Sequence, residues 1–316
     1  MPDQNIDINS DLPLVSVVMC TYNGEVYLSE QLDSILSQTY HKLEIVIVDD
    51  ASTDNTAQLL KEFKQKDVRI KFFQNQQRLG FNKNFEKAIC LASADYIAIS
   101  DQDDIWEQKK IETIINAWPK NCSFVFSLSG KFTGNDFAGR KAAPKVHYAD
   151  INDVHKLIFN SPVHGHASMF KRDLIKHCLP FPKDVFYDWW ISMHAASIGT
   201  IGCISQTLTW HRVHNNNSSR TLTSYIDLEE KNKRLRLQCI HFIDSFCQRS
   251  VVRENEKESL LNYAALLKKM DGKHFSRGMF IYIFKHRNLV FHYKKKPLAF
   301  FSHVKHACRM AYKGLL

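Results

Sequence analysis

Glycine and proline are scarce in this 316-residue chain, with eleven and eight residues respectively, too few for a collagen-like or linker-like protein. No uninterrupted apolar run reaches the roughly 18 residues that a membrane-spanning helix needs. Eight cysteines stand at positions 20, 90, 122, 178, 203, 239, 247 and 308, none of them in a CxxC pair, so zinc-site spacing is absent. The first residues, MPDQNIDINSDLP, are acidic and polar, unlike a secretory signal. With no export signal the cysteines read as reduced thiols and the protein as cytoplasmic. A glycine-rich phosphate cradle is missing too. The first strand candidate runs into CTYNGEVY, which holds neither GxGxxG nor a GxxxxGK motif and so argues against a dinucleotide or P-loop site.

Negative charge is also unevenly distributed. Formal net charge is +9, which for the whole chain suggests an anionic partner: nucleic acid, a phosphorylated small molecule or a membrane surface. Residues 1–224, however, carry 23 Lys and Arg against 25 Asp and Glu, a net of −2, whereas residues 225–316 carry 19 against 8, a net of +11. From Lys273 onward there are ten Lys and Arg, nine Phe and Tyr, five His and no acid. The expected organisation is a polar tail over residues 1–12, a body over 13–224 and a helical, basic region over 225–316, with the boundary beside the loop-like run Asn215 to Ser219.

What is present in the first hundred residues is alternation. Leu14–Cys20 (LVSVVMC), Leu43–Val48 (LEIVIV), Ile70–Phe73 and Tyr96–Ile99 are β-rich apolar runs. Between them, Val26–Ser37, Thr56–Phe63 and Phe81–Leu91 place apolar residues at helical spacing, as in Leu28, Leu32 and Ile35. Strands alternating with helices predict an α/β fold with a mainly parallel sheet. After Trp106 the pattern becomes α+β: a helix over Lys109–Trp118, a strand over Cys122–Leu128, a mobile loop over 129–147, a helix from Asp188 to Ile198, and short strands at Ile201–Ile204 and Leu208–Trp210. Beyond 225, Leu228–Phe246 and Leu260–Leu267 read as helices.

Open α/β sheets bind ligands at the carboxyl ends of their strands. Here those ends read Thr21-Tyr22-Asn23-Gly24, Asp49-Asp50-Ala51-Ser52-Thr53-Asp54 and Asp101-Gln102-Asp103-Asp104. Five or six carboxylates in one cleft repel each other unless a cation sits among them. Oxygen ligands suit Mg²⁺ or Mn²⁺, which commonly bridges a phosphate or diphosphate. A competing reading makes Ser52 and Asp54 helix caps, and Asp54 fits that role.

These motifs together (VSVVMCTYNGEVYLSEQLDSILSQTY, IVIVDDASTDNT, RLGFNKNFEKA and DYIAISDQDDIW) resemble the inverting family 2 glycosyltransferases of GT-A fold. SDQDDIW followed by DWW is similar to the rhamnosyltransferase-like branch that builds bacterial surface polysaccharide. The resemblance covers about residues 13–215. It implies a UDP- or dTDP-linked sugar donor, a Mn²⁺ or Mg²⁺ cofactor and direct displacement at the anomeric carbon. Matched position by position, it assigns Thr21, Tyr22, Asn23, Asp50 or its neighbour Asp49, Asn82, Asp101 and Gln102 to the nucleotide sugar, Asp101 and Asp103 to the metal, and Asp188 to the catalytic base. The family's QxxRW is replaced by His211-Arg212-Val213-His214-Asn215, which makes Arg212 a candidate cation for the diphosphate and His214 a further metal contact. Gly165, Trp189 and Trp190 are assigned to the acceptor; Asp188 can also be read as a cap, though the match to the family favours catalysis, and one of the two tryptophans as core. His164 and His166 look like metal ligands by eye, although a loop His-x-His more often is not one.

The basic tail over 273–316 interleaves cations with aromatics, which suits an anionic membrane surface and a saccharide or lipid-linked acceptor at the inner face of the cell membrane. A nucleotidyltransferase would share the sheet and carboxylates but needs a glycine- and base-rich loop after the first strand. A nucleic-acid partner is not expected, because the acidic clusters would repel phosphates and no helix-turn-helix, zinc finger or RNP pattern is present.

Overall fold

A computed structural model describes residues 12–144, 148, 150–159, 161–183, 185–215, 228–249, 251–272, 274–291 and 299–313. Residues 1–11 of the expected tail and the boundary at 224/225 fall outside these residues; Leu12 packs against the core. The first half alternates as expected: β1 (Val15–Thr21), α1 (Leu28–Leu36), β2 (Leu43–Asp49), α2 (Thr56–Lys66), β3 (Ile70–Gln74), α3 (Phe81–Leu91) and β4 (Tyr96–Ser100). Strands β1 to β4 pair in parallel in the order β3-β2-β1-β4. The apolar runs are near-continuous because both faces of this sheet are covered. Val18, Val46, Val48, Ile97 and Ile99 belong to one core, while Val17, Met19, Ile45, Ile47 and Ala98 belong to the other.

The second half continues the same sheet. It comprises β5 (Ile105–Trp106), α4 (Lys110–Asn116), β6 (Cys122–Thr133), β7 (Asp136–Lys141), α5 (His155–Ile158), β8 (Ser168–Lys171), α6 (Ile175–Cys178), α7 (Tyr187–Ile198) and β9 (Thr200–Val213). The sheet extends from β4 through β8, β6 and β9 to β5, with β7 paired to β6. Two expectations fail here. The first part of the supposed mobile loop over 129–147 instead lengthens β6 and forms an antiparallel ladder with β7. The two short strands after 200 are one long β9, whose pairing with β6 shifts register between Ser127 and Ser129, opposite the polar Ser205-Gln206 that breaks the apolar pattern.

The C-terminal helices are α8 (Leu228–Arg249), α9 (Glu254–Lys268), α10 (Arg277–Lys285), α11 (Arg287–Val290) and α12 (Ala299–Lys313). They extend one core of the body. Phe242 of α8 stacks on Trp189 with ring centroids 3.8 Å apart, and Phe246 meets His194 edge-on at 5.1 Å. Leu260, Leu267, Met279, Ile283 and Met310 are fully or almost fully buried in the same cluster. No described helix is long and apolar enough to cross a membrane.

Candidate active site

Because β1 lies between β2 and β4, the three acidic or polar strand ends are neighbours. Thr21 pairs with Asp49, and Met19 with Ser100, in the parallel registers. The β3-β2-β1-β4 order places them where the chain direction of winding reverses, the usual ligand crevice of such sheets.

Several predicted ligand groups also hold that crevice together. The buried Asp49 carboxylate accepts from Thr21 Oγ1 at 2.9 Å, from Ser52 N at 3.0 Å and from the Ser52 hydroxyl. The buried Asp50 carboxylate accepts from Asn75 Nδ2 at 2.9 Å, Leu79 N at 2.7 Å and Gly80 N at 2.8 Å, pinning the loop that leads into α3. Asn23 Oδ1 accepts from Thr53 N at 2.9 Å, locking the β1 tip to the β2 tip. Both tips carry left-handed non-glycine residues, Asn23 at φ 48° and Ala51 at φ 59°, a conformation that is uncommon for alanine. Asn82 reaches across to the segment before α7: its amide donates to the carbonyls of Pro182 at 3.2 Å and of Val185, and it accepts from Tyr187 N at 3.1 Å. It therefore positions the start of α7, which carries Asp188.

The open edge is formed by other groups. Gln102 pairs twice with the backbone of Tyr22, accepting from its N–H at 2.9 Å and donating to its carbonyl at 3.2 Å. A Cβ on Gly24 would come within 2.4 Å of Gln102 Oε1, so a side chain there would push this pair apart. The Arg78 guanidinium lies 3.8 Å from the centroid of the Tyr22 ring, making a planar wall at the β1 tip. Asp101 keeps 37% of its side chain accessible, at the floor of the cleft. The surrounding protein raises its carboxyl above the ordinary range, against the opposing charges of His211 and Lys110.

The DQDD carboxylates are gathered with histidines. His214 Nε2 meets Asp103 Oδ2 at 2.8 Å. Asp104 is fully buried and accepts from His211 Nδ1 and Arg212 N, both at 3.1 Å. Its other oxygen, Oδ2, is buried without a hydrogen-bond partner, 3.7 Å from His166 Nδ1. His166 also approaches Asp101 Oδ2 at 3.4 Å, and its ring stacks on His211 at 5.1 Å. Burial, with the nearby His211 and Lys110 charges, lowers His166 to about 4, so at neutral pH its imidazole is neutral. Burial also works against the charge on His211, but its hydrogen bond to Asp104 and the three aspartates outweigh it and raise that ring. Asp104, His166 and His211 each offer a ligand atom within 4.8 Å of the others. The orphaned Asp104 oxygen and the mixed carboxylate and imidazole set fit a divalent cation. His166 is the residue sequence reading set aside; its only signal was the His-x-His itself. Lys110 was missed altogether. It is buried, donates to the His166 carbonyl at 2.8 Å and lies 3.6 Å from the Trp106 centroid.

Two assignments are corrected. Arg212 is fully buried: its guanidinium donates to the Asp103 carbonyl at 2.8 Å, to the Gly134 carbonyl at 2.6 Å and to Glu30 at 2.8 Å, between the rings of Tyr27 and Phe132. It holds the DQDD loop rather than presenting a cation to a diphosphate. Trp190 is fully buried, with its indole N–H on the Cys178 carbonyl at 2.8 Å, so it is core and no acceptor platform.

Asp188 stands at the first turn of α7. Its carboxylate accepts from Trp189 N at 2.8 Å and from Gly165 N at 3.1 Å. Burial raises it, against those two N–H groups and His164. It opens into a cavity of about 270 Å³ shared with Leu157, Ile158, Phe159, Phe186 and Trp189. An elevated carboxylate beside an aromatic pocket can accept a proton from a hydroxyl group held there.

The sequence profile described as glycosyl transferase family 2 matches residues 16–179. An uncharacterized glycosyltransferase of Methanocaldococcus jannaschii is 30% identical over 256 residues, 77% of this chain and 88% of that one. The Escherichia coli UDP-Glc:alpha-D-GlcNAc-diphosphoundecaprenol beta-1,3-glucosyltransferase WfgD is 33% identical over 194 residues, 60% of this chain and 74% of that one. Among solved structures, Staphylococcus aureus TarS 1–349 in complex with UDP-GlcNAc superposes with a TM-score of 0.60 at 18% identity, covering 93% of this chain and 81% of that chain. The mannosyltransferase PcManGT of Pyrobaculum calidifontis, in complex with GDP-Man and Mn²⁺, gives 0.57 at 18% identity over 97% and 83%. At that identity the two structures speak for the fold alone. The chain is a glycosyltransferase of family 2, built on the GT-A fold.

Proposed function

We propose that this enzyme moves a sugar from a nucleotide-diphosphate donor onto a saccharide or lipid-linked acceptor in surface-polysaccharide synthesis, by one displacement that inverts the anomeric centre. The observation that carries this reading is the placement of Asp188: a carboxylate raised by burial, fixed by two backbone N–H groups and opening into an aromatic-walled cavity.

The donor nucleoside lies against the Tyr22–Arg78 wall, with Asp49, Asp50, Asn23 and Asn82 shaping the crevice from behind. Asp101 and Asp103, with His214, and the deeper Asp104, His166 and His211 would hold a divalent cation, Mn²⁺ more readily than Mg²⁺ because imidazole nitrogen is among the ligands. When bound, such an ion neutralises the leaving diphosphate. Asp188 takes the proton of the acceptor hydroxyl as that oxygen attacks the anomeric carbon, and Trp189 and the Gly165 loop bound the acceptor side.

A lipid-linked acceptor is supported by the name of WfgD, a relative whose substrate carries a diphosphoundecaprenol anchor. The SDQDDIW stretch favours a dTDP-linked L-rhamnose donor, whereas that relative's name favours UDP-glucose. Donor hydrolysis measured over a panel of UDP- and dTDP-sugars with Mn²⁺ decides between them. Turnover of none of them, together with no calorimetric binding of UDP or dTDP, overturns the reading. Exposed Phe300 and Phe301, beside Lys305 and Arg309 on α12, are proposed to rest on the anionic inner face of the cell membrane.

A further inference from the structure

A second cluster of metal-type ligands lies away from the crevice, where the body meets the C-terminal helices. Asp153 and His155 come from the body, at the start of α5, and Glu256 comes from the first turn of α9. Each offers one ligand atom within 4.8 Å of the other two. His155 and Glu256 are nearly inaccessible, at 3% each. A buried acid, a buried imidazole and a second, partly buried acid are costly to bring together without compensation. Part of that compensation is visible: Asp153 Oδ1 contacts His155 Nδ1 at 2.8 Å, and Arg253 donates to Glu256 Oε1. The remaining Glu256 oxygen, Oε2, is buried and has no hydrogen-bond partner. A carboxylate oxygen left in this state beside two other ligands calls for a cation.

The surroundings suit one. Asp153 keeps about a quarter of its side chain accessible (23%), which gives an ion a way in. The far side of the imidazole is already supported, with His155 Nε2 at 2.9 Å from Ser259 Oγ of α9. That contact is the outer partner a metal-bound histidine normally has. Asp153 can only accept, so without a cation the imidazole proton sits on Nδ1 and Nε2 accepts from Ser259. With a cation on Nδ1, the ring proton resides on Nε2 and Ser259 Oγ accepts it.

We infer that Asp153, His155 and Glu256 form a structural site for a borderline divalent cation, of the zinc type, that clamps the C-terminal helices to the catalytic body. One imidazole and two carboxylates are a zinc-compatible set, with water completing the coordination. The site takes no part in the transfer reaction, and its test is independent of donor or acceptor identity.

The experiment uses the full chain dialysed against Zn²⁺, with metal content measured per chain and thermal unfolding followed with and without the ion. The intact protein should hold one equivalent more than Glu256→Gln, and Zn²⁺ should raise the unfolding midpoint of the intact protein more than that of the variant, which keeps the crevice cluster. Loss of a direct ligand should weaken binding by about tenfold or more. Equal zinc content in the two proteins, or equal zinc-dependent shifts, overturns the assignment. If Glu256→Gln does not fold, the more accessible Asp153→Asn takes its place under the same criteria. Hydrogen exchange of the intact chain supplies a further check: Zn²⁺ should slow exchange across residues 152–158 and the first turns of α9, and unchanged exchange there counts against the clamp.

Discussion

The backbone N–H of Gly165 donates to the Asp188 carboxylate over 3.1 Å, so a loop glycine and the first turn of α7 hold one another beside the cavity that Asp188 lines. The contact is close because residue 165 has no side chain. A Cβ there would stand 2.4 Å from Tyr187 Oη and 3.3 Å from Asp188 Cβ. Tyr187 cannot easily yield, since its ring is buried and stacked on Phe85 at 4.1 Å. Gly165→Ala should therefore displace Asp188, the proposed base, and lower kcat about tenfold or more, leaving nucleotide affinity by calorimetry unchanged. An unaltered kcat would separate this loop from the reaction.

Asp188 also sets a pH dependence. Burial raises its carboxyl above the ordinary value of about 3.9 and the Asp101 charge adds to this, while the Trp189 and Gly165 N–H groups and His164 pull it down. The base must be ionised, so kcat/KM should rise with pH through an acid limb displaced upward from the ordinary aspartate range. Stability responds in the opposite sense. A carboxyl raised on folding adds stability below its unfolded-state value, and that contribution is lost as pH rises through the folded value. Asp188→Asn should bind nucleotide, lose transfer and remove this pH-dependent loss of stability. Retained transfer in that variant excludes Asp188 as the base.

The parallel half of the fold was legible because β1, β2 and β4 are buried on both faces and so carry uninterrupted apolar runs between amphipathic helices. The placement of Asp101 and Asp103 just past β4, and of Asp188 at the start of α7, was legible because strand and helix ends have a recognisable neighbourhood. The rest depended on tertiary pairing that no local pattern encodes. Residues 129–141 have the composition of a loop, yet Ser129–Thr133 continue β6 alongside β9 and pair with β7 at 136–141. Arg212 looked like a free cation because nothing in HRVHN reveals that Glu30 and two backbone carbonyls enclose its guanidinium. His166 joins Asp101 and Asp104 only because β8 pairs antiparallel with β4 and brings the preceding loop over the DQDD turn.

Arg212 separates a scaffold role from a ligand role. Its enclosed guanidinium holds the Asp103 carbonyl and Glu30, and breaking a buried charged pair from one side typically costs about 3–5 kcal/mol. Glu30 is about half exposed here (52%), so the lower end of that range applies. Arg212→Met should lower the unfolding midpoint clearly, with loss of activity following loss of stability. A variant of unchanged stability whose donor KM alone rises would return Arg212 to the diphosphate.

His166 should contribute to metal choice. Its ring faces the orphaned Asp104 oxygen and Asp101, and nitrogen ligands favour Mn²⁺ over Mg²⁺. The intact enzyme should be inactivated by EDTA and restored more effectively by Mn²⁺ than by Mg²⁺. His166→Asn should narrow the difference between the two ions, chiefly by raising the Mn²⁺ concentration needed for half-activation. An identical Mn²⁺ requirement in the variant would remove His166 from the ion's surroundings.

The basic C-terminal surface calls for point variants. Deleting residues 273–316 would take away Met279, Ile283 and Met310, which are fully buried against the rest of the core, so a shortened chain would report unfolding and membrane binding together. Phe300 and Phe301 are 55% and 70% exposed, and Lys305 and Arg309 lie exposed on the same helix. Phe300→Ser with Phe301→Ser removes apolar insertion, while Lys305→Glu with Arg309→Glu reverses charge where each cation contributes about 1 kcal/mol at an anionic surface. Both pairs should keep donor hydrolysis and pelleting with neutral vesicles unchanged, and both should reduce pelleting with anionic vesicles, the charge pair more strongly at low salt than at high salt. Pelleting equal to that of the intact chain in both variants would leave α12 as solvent-facing packing and place the acceptor's membrane contact elsewhere.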